Sequence, residues 1–344
     1  MGREFAADAA TPPRWWWWMF ILALAIVLVS MPHFTDDSLQ LDLSITFVLA
    51  LLALSMSFLW GYVGILSFGQ TIFFGLGGYS YAILALNAGT TLWPFAAAIF
   101  LPMIFAAVLG YFIIYGRISD IYLSVISLVV TLIFEKSIRS TSGPEYVIGK
   151  VRLNGQNGIP GVPGLQLPWD SSMQLSIDGV FYLAGGTALL LYVCLRLLLL
   201  TSFGRIIVGI RENETRMELL GYDSRVYKLV AFVLAAGIAA LSGALYAVWG
   251  NFVAPEMFNL NQAAQVVIWV IVGGRSTLIG PVVATGLVQY FSNWLGTVSI
   301  GQVTLVLGLV LLVFVLAFPR GLLPTIAMVL GKAVSRTGNG NPRS

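Results

Sequence analysis

The residues able to do chemistry are few, and most of them fall in one place. Between Thr201 and Lys228, in TSFGRIIVGIRENETRMELLGYDSRVYK, stand Arg205, Arg211, Glu212, Glu214, Arg216, Glu218, Asp223, Arg225 and Lys228. Charges of mixed sign at three- and four-residue spacing form helical ion pairs and offer a charged surface to another protein. They do not make a catalytic set. A single histidine, His33, excludes a histidine-rich metal centre, and a single cysteine, Cys194, excludes an intramolecular disulfide. No G-x-x-x-x-G-K-[ST] phosphate loop and no G-x-S-x-G occurs, since Gly149-Lys150 and Gly331-Lys332 lack the surrounding pattern. The chain is therefore not expected to be an enzyme, to bind ATP through that loop, or to hold a metal.

Ion coupling is the other chemistry to weigh, because it commonly uses ionisable groups inside membrane spans. Glu135, Lys136 and Arg139 cluster at one point, with Glu135 and Arg139 four apart on one helical face. A local ion pair at a span end is the simpler reading, and Asp42 and Asp120 also fall at span ends. Gln70 is a polar group expected at membrane depth. It needs a partner, either another helix or a passing solute.

The elements that position these groups follow from composition. Hydrophobic residues are 58% of the 344, charged residues only 10%, and the net charge is +3; mean hydropathy is +0.89. A soluble chain carries roughly 25% charged residues, so the solvent here is lipid. No long basic tract argues for nucleic acid. A hydrocarbon core of about 30 Å takes roughly 20 helical residues. Apolar runs of that kind lie near 15–33, 41–60, 62–87, 91–115, 118–140, 177–200, 228–250, 278–297 and 301–318. A shorter run, 262–274, is either a tenth span or a re-entrant piece. Continuous rather than alternating runs fit helices, not a barrel. The expectation is an all-α integral membrane protein of about ten transmembrane helices. The first run opens on Trp15 to Trp18, an interfacial anchor, and lacks a small-residue cleavage site, so it is read as a span rather than a cleaved signal.

Ten spans with both termini cytoplasmic place Arg3, Arg14, Arg117, the basic residues of 201–228, Arg275, and those from Arg320 onward inside. Only Lys136, Arg139, Lys150 and Arg152 fall outside. Basic residues mark the cytoplasmic side, which favours this orientation. The expected organisation is a cytoplasmic tail over 1–14, a permease domain over 15–325 and a disordered cytoplasmic tail over 326–344. The domain carries a periplasmic loop over 141–176 and a cytoplasmic loop over 201–227. The outer loop is rich in Gly, Pro and Asn, favours turns, and is long for a mere connector.

Two glycine-rich segments interrupt the spans: GYVGILSFGQTIFFGLGGYSY over 61–81 and IVGGRSTLIGPVVATG over 271–286. Glycine permits close helix packing in lipid, while broken helices in the two halves of a transporter also point to a solute path. Both readings stand at this stage. The candidate path residues are Gln70, Gly75, Gly77, Gly78, Gly273 and Gly274. Pro281 after Gly280 is expected to break or kink a helix, giving a re-entrant turn around Arg275.

Five segments in order resemble one family: GILSFGQTIFFGLGGY (64–79), FGRIIVGIRENE with LGYD and YKL (203–229), GALY (243–246), VIWVIVGGRSTLIGP (267–281) and FPRGL (318–322). The chain resembles the branched-chain amino acid permease group of ABC importers, its LivM-like members in particular, over roughly 40–325. The 267–278 wording is closer to the urea and short-amide branch. The resemblance implies that the inner loop forms a coupling helix seated on a cytoplasmic ATPase. It also implies a LivH-like second permease, a periplasmic binding protein, and ATP bound by the partner subunits rather than by this chain. Gly204, Arg205, Arg211, Glu212, Asn213, Glu214, Gly221 and Tyr222 match the loop's family pattern. Residues 208–220 are expected to form about three helical turns stopped by Gly221, with Arg211, Glu214 and Glu218 on one face. Thr215-Arg216-Met217 replaces the small residues common there. The bacterial inner membrane is the implied location. An ion-coupled secondary transporter and a passive channel for a small polar solute remain as alternatives.

Overall fold

The computed structural model describes residues 15–116, 120–167, 170–275 and 277–297, with isolated positions between 308 and 325. The tails at 1–14 and 326–344 lie outside the described residues, as does nearly all of the run expected over 301–318.

Helix α1 spans Trp15–Ser30 and α2 spans Asp37–Phe58, continued by a π-helical turn over Leu59–Val63. The chain then turns at Gly64, whose φ of +92° suits glycine. Helices α3 (Gln70–Ala88), α4 (Leu92–Tyr115), α5 (Asp120–Arg139) and α6 (Ile177–Leu200) follow. Next come α7 (Ser202–Glu212), α8 (Glu214–Leu219), α9 (Ser224–Gly250), α10 (Leu260–Gly273) and α11 (Ile279–Thr297). Most of the apolar runs coincide with these helices; the run over 62–87 does not, because the chain turns at Gly64 and is helical again only from Gln70.

Helix α9 is the centre of the bundle and packs on α2, α3 and α4. Its contact with α3 is backbone against backbone. A Cβ on Gly77 would collide with the Ala240 main chain, and one on Gly243 with the Phe74 carbonyl. In lipid, where apolar side chains gain little by meeting each other, such small-residue crossings hold helices together through van der Waals contact. Buried hydroxyls add to it: Ser242 donates to the Val48 carbonyl at 2.6 Å and Ser55 to that of Ala235 at 3.0 Å. Helices α4 and α6 each give one face to this core and present Phe100, Ile104, Phe112 and Leu190 outward.

Among the described residues, five helices are long and apolar enough to cross a bilayer: Asp37–Val63, Gln70–Ala88, Leu92–Tyr115, Ile177–Leu200 and Ser224–Gly250. Trp17–His33 and Leu260–Gly273 are shorter apolar helices. Helix α5 is less apolar because Glu135, Lys136 and Arg139 crowd its last turn, and α11 because Gln289, Ser292 and Asn293 line one side. Pro281 does not break a helix. It sits in the first turn of α11, where its missing N–H has no intrahelical acceptor to lose.

The 141–176 segment is a structured cap with short antiparallel strands. β1 (Val147–Ile148) pairs with β2 (Val151–Arg152), β4 (Gln166–Leu167) with β5 (Asp170–Gln174), and β3 (Ile159–Pro160) with β6 (Phe252–Val253) after α9. Polar groups at the helix ends tie the cap down. Tyr81 donates to the Pro163 carbonyl at 2.8 Å, Asn87 to that of Ile148 at 2.9 Å, and Asn251 to that of Val162 at 3.0 Å. Arg139 closes the same end, reaching Glu135 and Glu256 at 3.0 Å each, so the expected local ion pair extends to a second helix.

Candidate functional site

The charged loop is built from two helices rather than the single one expected over 208–220. Asn213, at φ −160° and ψ 98°, ends α7 and caps α8, its side-chain oxygen accepting from the Arg216 N–H at 2.9 Å. An asparagine that satisfies the backbone of the next turn competes with continuing the previous one. Arg211, Glu214 and Glu218 consequently do not share a face. At the other end Thr201 caps α7, accepting from Gly204 at 3.3 Å. Gly204 is required by the corner, since a Cβ there would strike the Leu199 backbone. Arg205 closes the end of α6, donating to the Leu200 carbonyl at 3.1 Å and to Ser202 at 3.2 Å.

Arg211 points into the protein. Its guanidinium donates to the Gly61 carbonyl, and its stem lies against Gly64. The loop joining α10 and α11 meets the same spot. A Cβ on Gly61 would strike the Arg275 carbonyl, Ser57 donates to the Thr277 carbonyl at 3.1 Å, and the Arg275 guanidinium sits 5.8 Å from the Trp60 ring centre. Three separately noted features, the charged loop and both glycine-rich interruptions, thus converge on the π-turn. Burial lowers the Arg211 pKa, Glu212 opposes that, and the like charge of Arg275 adds to it.

Helix α8 folds back onto the start of α9. Lys228 reaches Glu214 at 2.7 Å and the Ser224 hydroxyl donates to Glu218 at 2.7 Å. Burial opposes the Glu214 charge, but the bond from Lys228 and the lysine's own charge outweigh it and hold this carboxyl below its ordinary value. Met217 turns inward onto Gly209, so the bulky replacement noted in the sequence fills the angle between α7 and α8. Gly221, at φ +90°, ends α8 with its N–H on the Glu218 carbonyl at 2.9 Å. Tyr222 stands edge-on to Tyr227 with ring centres 6.2 Å apart. Outward-facing residues include the apolar pair Leu219, at 85% exposure, and Leu220, at 66%, together with the exposed Glu212, Asn213, Thr215 and Arg216 of the same segment.

The other candidates lie in the core. Gln70 opens α3 and is buried; its oxygen accepts from Ser55 at 2.7 Å while its nitrogen has no partner among the described residues. Gly75 meets Phe258, Gly77 meets Ala240, and Gly78 meets Met257 and Gly243. Gly273 faces Gly280 across the α10–α11 turn, and Gly274, at φ +101°, lies against Gly321. All these glycines have close neighbours within the chain.

Residues 42–316 match the model of the family described as branched-chain amino acid transport system / permease component. The chain belongs to that family. It is 26% identical over 337 residues to the high-affinity branched-chain amino acid transport system permease protein LivM of Escherichia coli, covering 89% of this chain and 74% of that one. The Salmonella typhimurium LivM is likewise 26% identical over 335 residues, with the same coverage. The inner membrane ABC transporter permease protein YjfF of Escherichia coli is 31% identical over 130 residues, 36% of this chain and 39% of that one. No solved structure matches the chain.

In this permease the loop residues named from sequence divide into two kinds. Gly204, Arg205, Arg211, Asn213, Glu214 and Gly221 shape or anchor the elbow, while Glu212 and part of Tyr222 remain accessible. The accessible leucines at its tip were not singled out, because charge rather than apolarity sets this loop apart from its neighbours. Their position after a helix-ending asparagine and before Gly221 is the sequence signal that marks them.

Proposed function

We propose that the chain is the LivM-type permease subunit of an ATP-driven importer for branched-chain amino acids in a bacterial inner membrane. Separate ATPases act on the 201–227 elbow from the cytoplasm, a LivH-like permease forms the other half, and a periplasmic binding protein delivers solute at the 141–176 cap. The observation that carries this reading is the Arg211 link, which fixes the elbow to the turns of both glycine-rich segments. A push on the elbow tip moves Gly61 and, through it, the 274–278 turn. The exposed Leu219 and Leu220, in a segment that also exposes Glu212, Asn213, Thr215 and Arg216, suit a protein interface centre. The ten-span arrangement with both termini inside fits the basic residues. The path near Gln70, Gly75, Gly77, Gly78, Gly273 and Gly274 opens by relative movement of α3, α10 and α11. Branched-chain amino acids are preferred over urea or short amides because the relatives with the longest matches carry that name.

The test is transport by the chain reconstituted with its partner permease, ATPases and binding protein. Labelled L-leucine is expected to accumulate only with ATP and binding protein present. Accumulation by this chain alone under a proton or sodium gradient would establish a secondary transporter instead, and equilibration without ATP would establish a channel.

A further inference from the structure

Two glycine notches on α3 take side chains from the connector between α9 and α10. A Cβ on Gly75 would strike the Phe258 ring, and one on Gly78 the end of Met257. Thr71, Gly75 and Gly78 fall four and three residues apart and share a face. Both fillers come from a single 3-10 turn, Pro255–Phe258, which sits between α3, α5 and α10. Phe258 is fully buried, stacked on Phe134 with ring centres 6.1 Å apart and 5.6 Å from the Tyr79 ring centre.

The turn is held unevenly. Its charged tie to α5 is the Arg139–Glu256 pair, and ion pairs with this much solvent access are weak. The flanking Ala254 and Asn259 are extended, at element ends of the kind that absorb a hinge rotation. The seated arrangement also carries a cost. The Tyr79 hydroxyl is buried without a hydrogen-bond partner among the described residues, which is unfavourable. Its ring lies on Phe258, so departure of Phe258 would let water reach it. The same connector is bonded to the cap: β6 pairs with β3, the Val162 N–H donates to the Asn251 carbonyl at 3.0 Å, and the Asn251 amide donates back at 3.0 Å.

We infer that the Pro255–Phe258 turn is a removable plug on the cap side of α3, latched by Arg139 and Glu256 and worked through the cap. A pull on the cap draws β6 with it, breaks the latch and carries Phe258 and Met257 out of their notches. Gly75, Gly78 and the Tyr79 hydroxyl are then uncovered together. The plug deepens the importer reading and rests on it for the cap's role: docking on the cap becomes the event that opens the α3 face.

The test uses the full chain with Cys194→Ser and a reporter, Thr71→Cys, at a fully buried position one turn before Gly75 and farther from the cap. Sealed membrane vesicles meet a membrane-impermeant maleimide from the cap side, the side on which the exposed Lys150→Cys labels. The reporter should react slowly in the parent. Phe258→Ala should speed it about tenfold or more, as expected for removing a buried ring. Arg139→Gln should speed it up to about fivefold, the scale of an accessible ion pair. Lys136→Gln, exposed on the same turn of α5, should change nothing. Parental rates in both Phe258→Ala and Arg139→Gln overturn the plug; if Phe258→Ala does not insert, Arg139→Gln and Glu256→Gln decide. Equal speeding of a second reporter, Ser44→Cys, also fully buried but on α2, would mean general loosening and overturns it too. None of these rates needs nucleotide. If leucine-loaded binding protein leaves the parent rate unchanged while the variants respond, the plug stands and the cap's docking role in the importer reading falls.

Discussion

The Arg211 guanidinium donates to the main-chain carbonyl of Gly61, 150 residues earlier in the chain. Gly61 lies in a π-helical turn, a geometry that leaves carbonyls free of regular helical bonding and recurs at functional positions. The bond joins the charged helix pair α7–α8 to the π-helical end of α2. Arg211→Ala should therefore leave the protein inserted and ATP hydrolysis running, while leucine uptake per ATP falls about tenfold, the usual scale for losing a charged hydrogen bond. Parallel assays of hydrolysis and uptake in proteoliposomes measure this, and unchanged coupling would show that the link carries no motion.

The elbow itself depends on Asn213. Replacing it with alanine removes the acceptor for the Arg216 N–H, a change that costs about 1 kcal/mol at a helix start. Alanine also favours a continuous helix over 202–219. Faster amide exchange at Arg216 with slower exchange at Glu214 would report the fused helix. Exchange identical to the parent would mean that packing of Met217 on Gly209 is enough to hold the angle.

Much of this architecture was legible in the sequence. Helix positions were, because a lipid-facing helix must be apolar along its length and Gly, Pro and charge interrupt it at its ends. The charged loop stood out for the same reason. The break at Asn213 was not read, since the helical spacing of Arg211, Glu214 and Glu218 pointed to one continuous face and a cap inside a charged run has no stronger signal than a solvated asparagine. Nor was the inward turn of Arg211 and Glu214, whose partners Gly61 and Lys228 are set by tertiary contact rather than by spacing. The strands of the 141–176 cap are two to five residues long, too short for alternation to reveal.

Close packing of α3 on α9 gives a contrast between two glycines. Gly77→Leu must push the Ala240 backbone aside and should destabilise by about 1–3 kcal/mol or more, the cost of overpacking. Gly186 lies in α6 with open space around its Cβ position. There alanine should be neutral or gain up to about 1 kcal/mol through helix propensity. Thermal denaturation in detergent compares them, and equal midpoints would contradict the backbone contact.

Acid should loosen α8 from α9. Glu214 titrates below the ordinary glutamate value of about 4.3 while paired with Lys228. Between its depressed value and the ordinary one, the undocked helix binds more protons than the docked one. Docking is therefore constant at neutral pH, weakens as pH falls below about 4.3, and is lost once the paired carboxyl itself protonates. The same variation should be absent in Glu214→Gln, which cannot titrate but keeps the side chain's size. Amide exchange of 214–219, corrected for intrinsic rates and followed from neutral pH into the acid range, reads the effect. A slope that survives in the glutamine variant would overturn the assignment to Glu214.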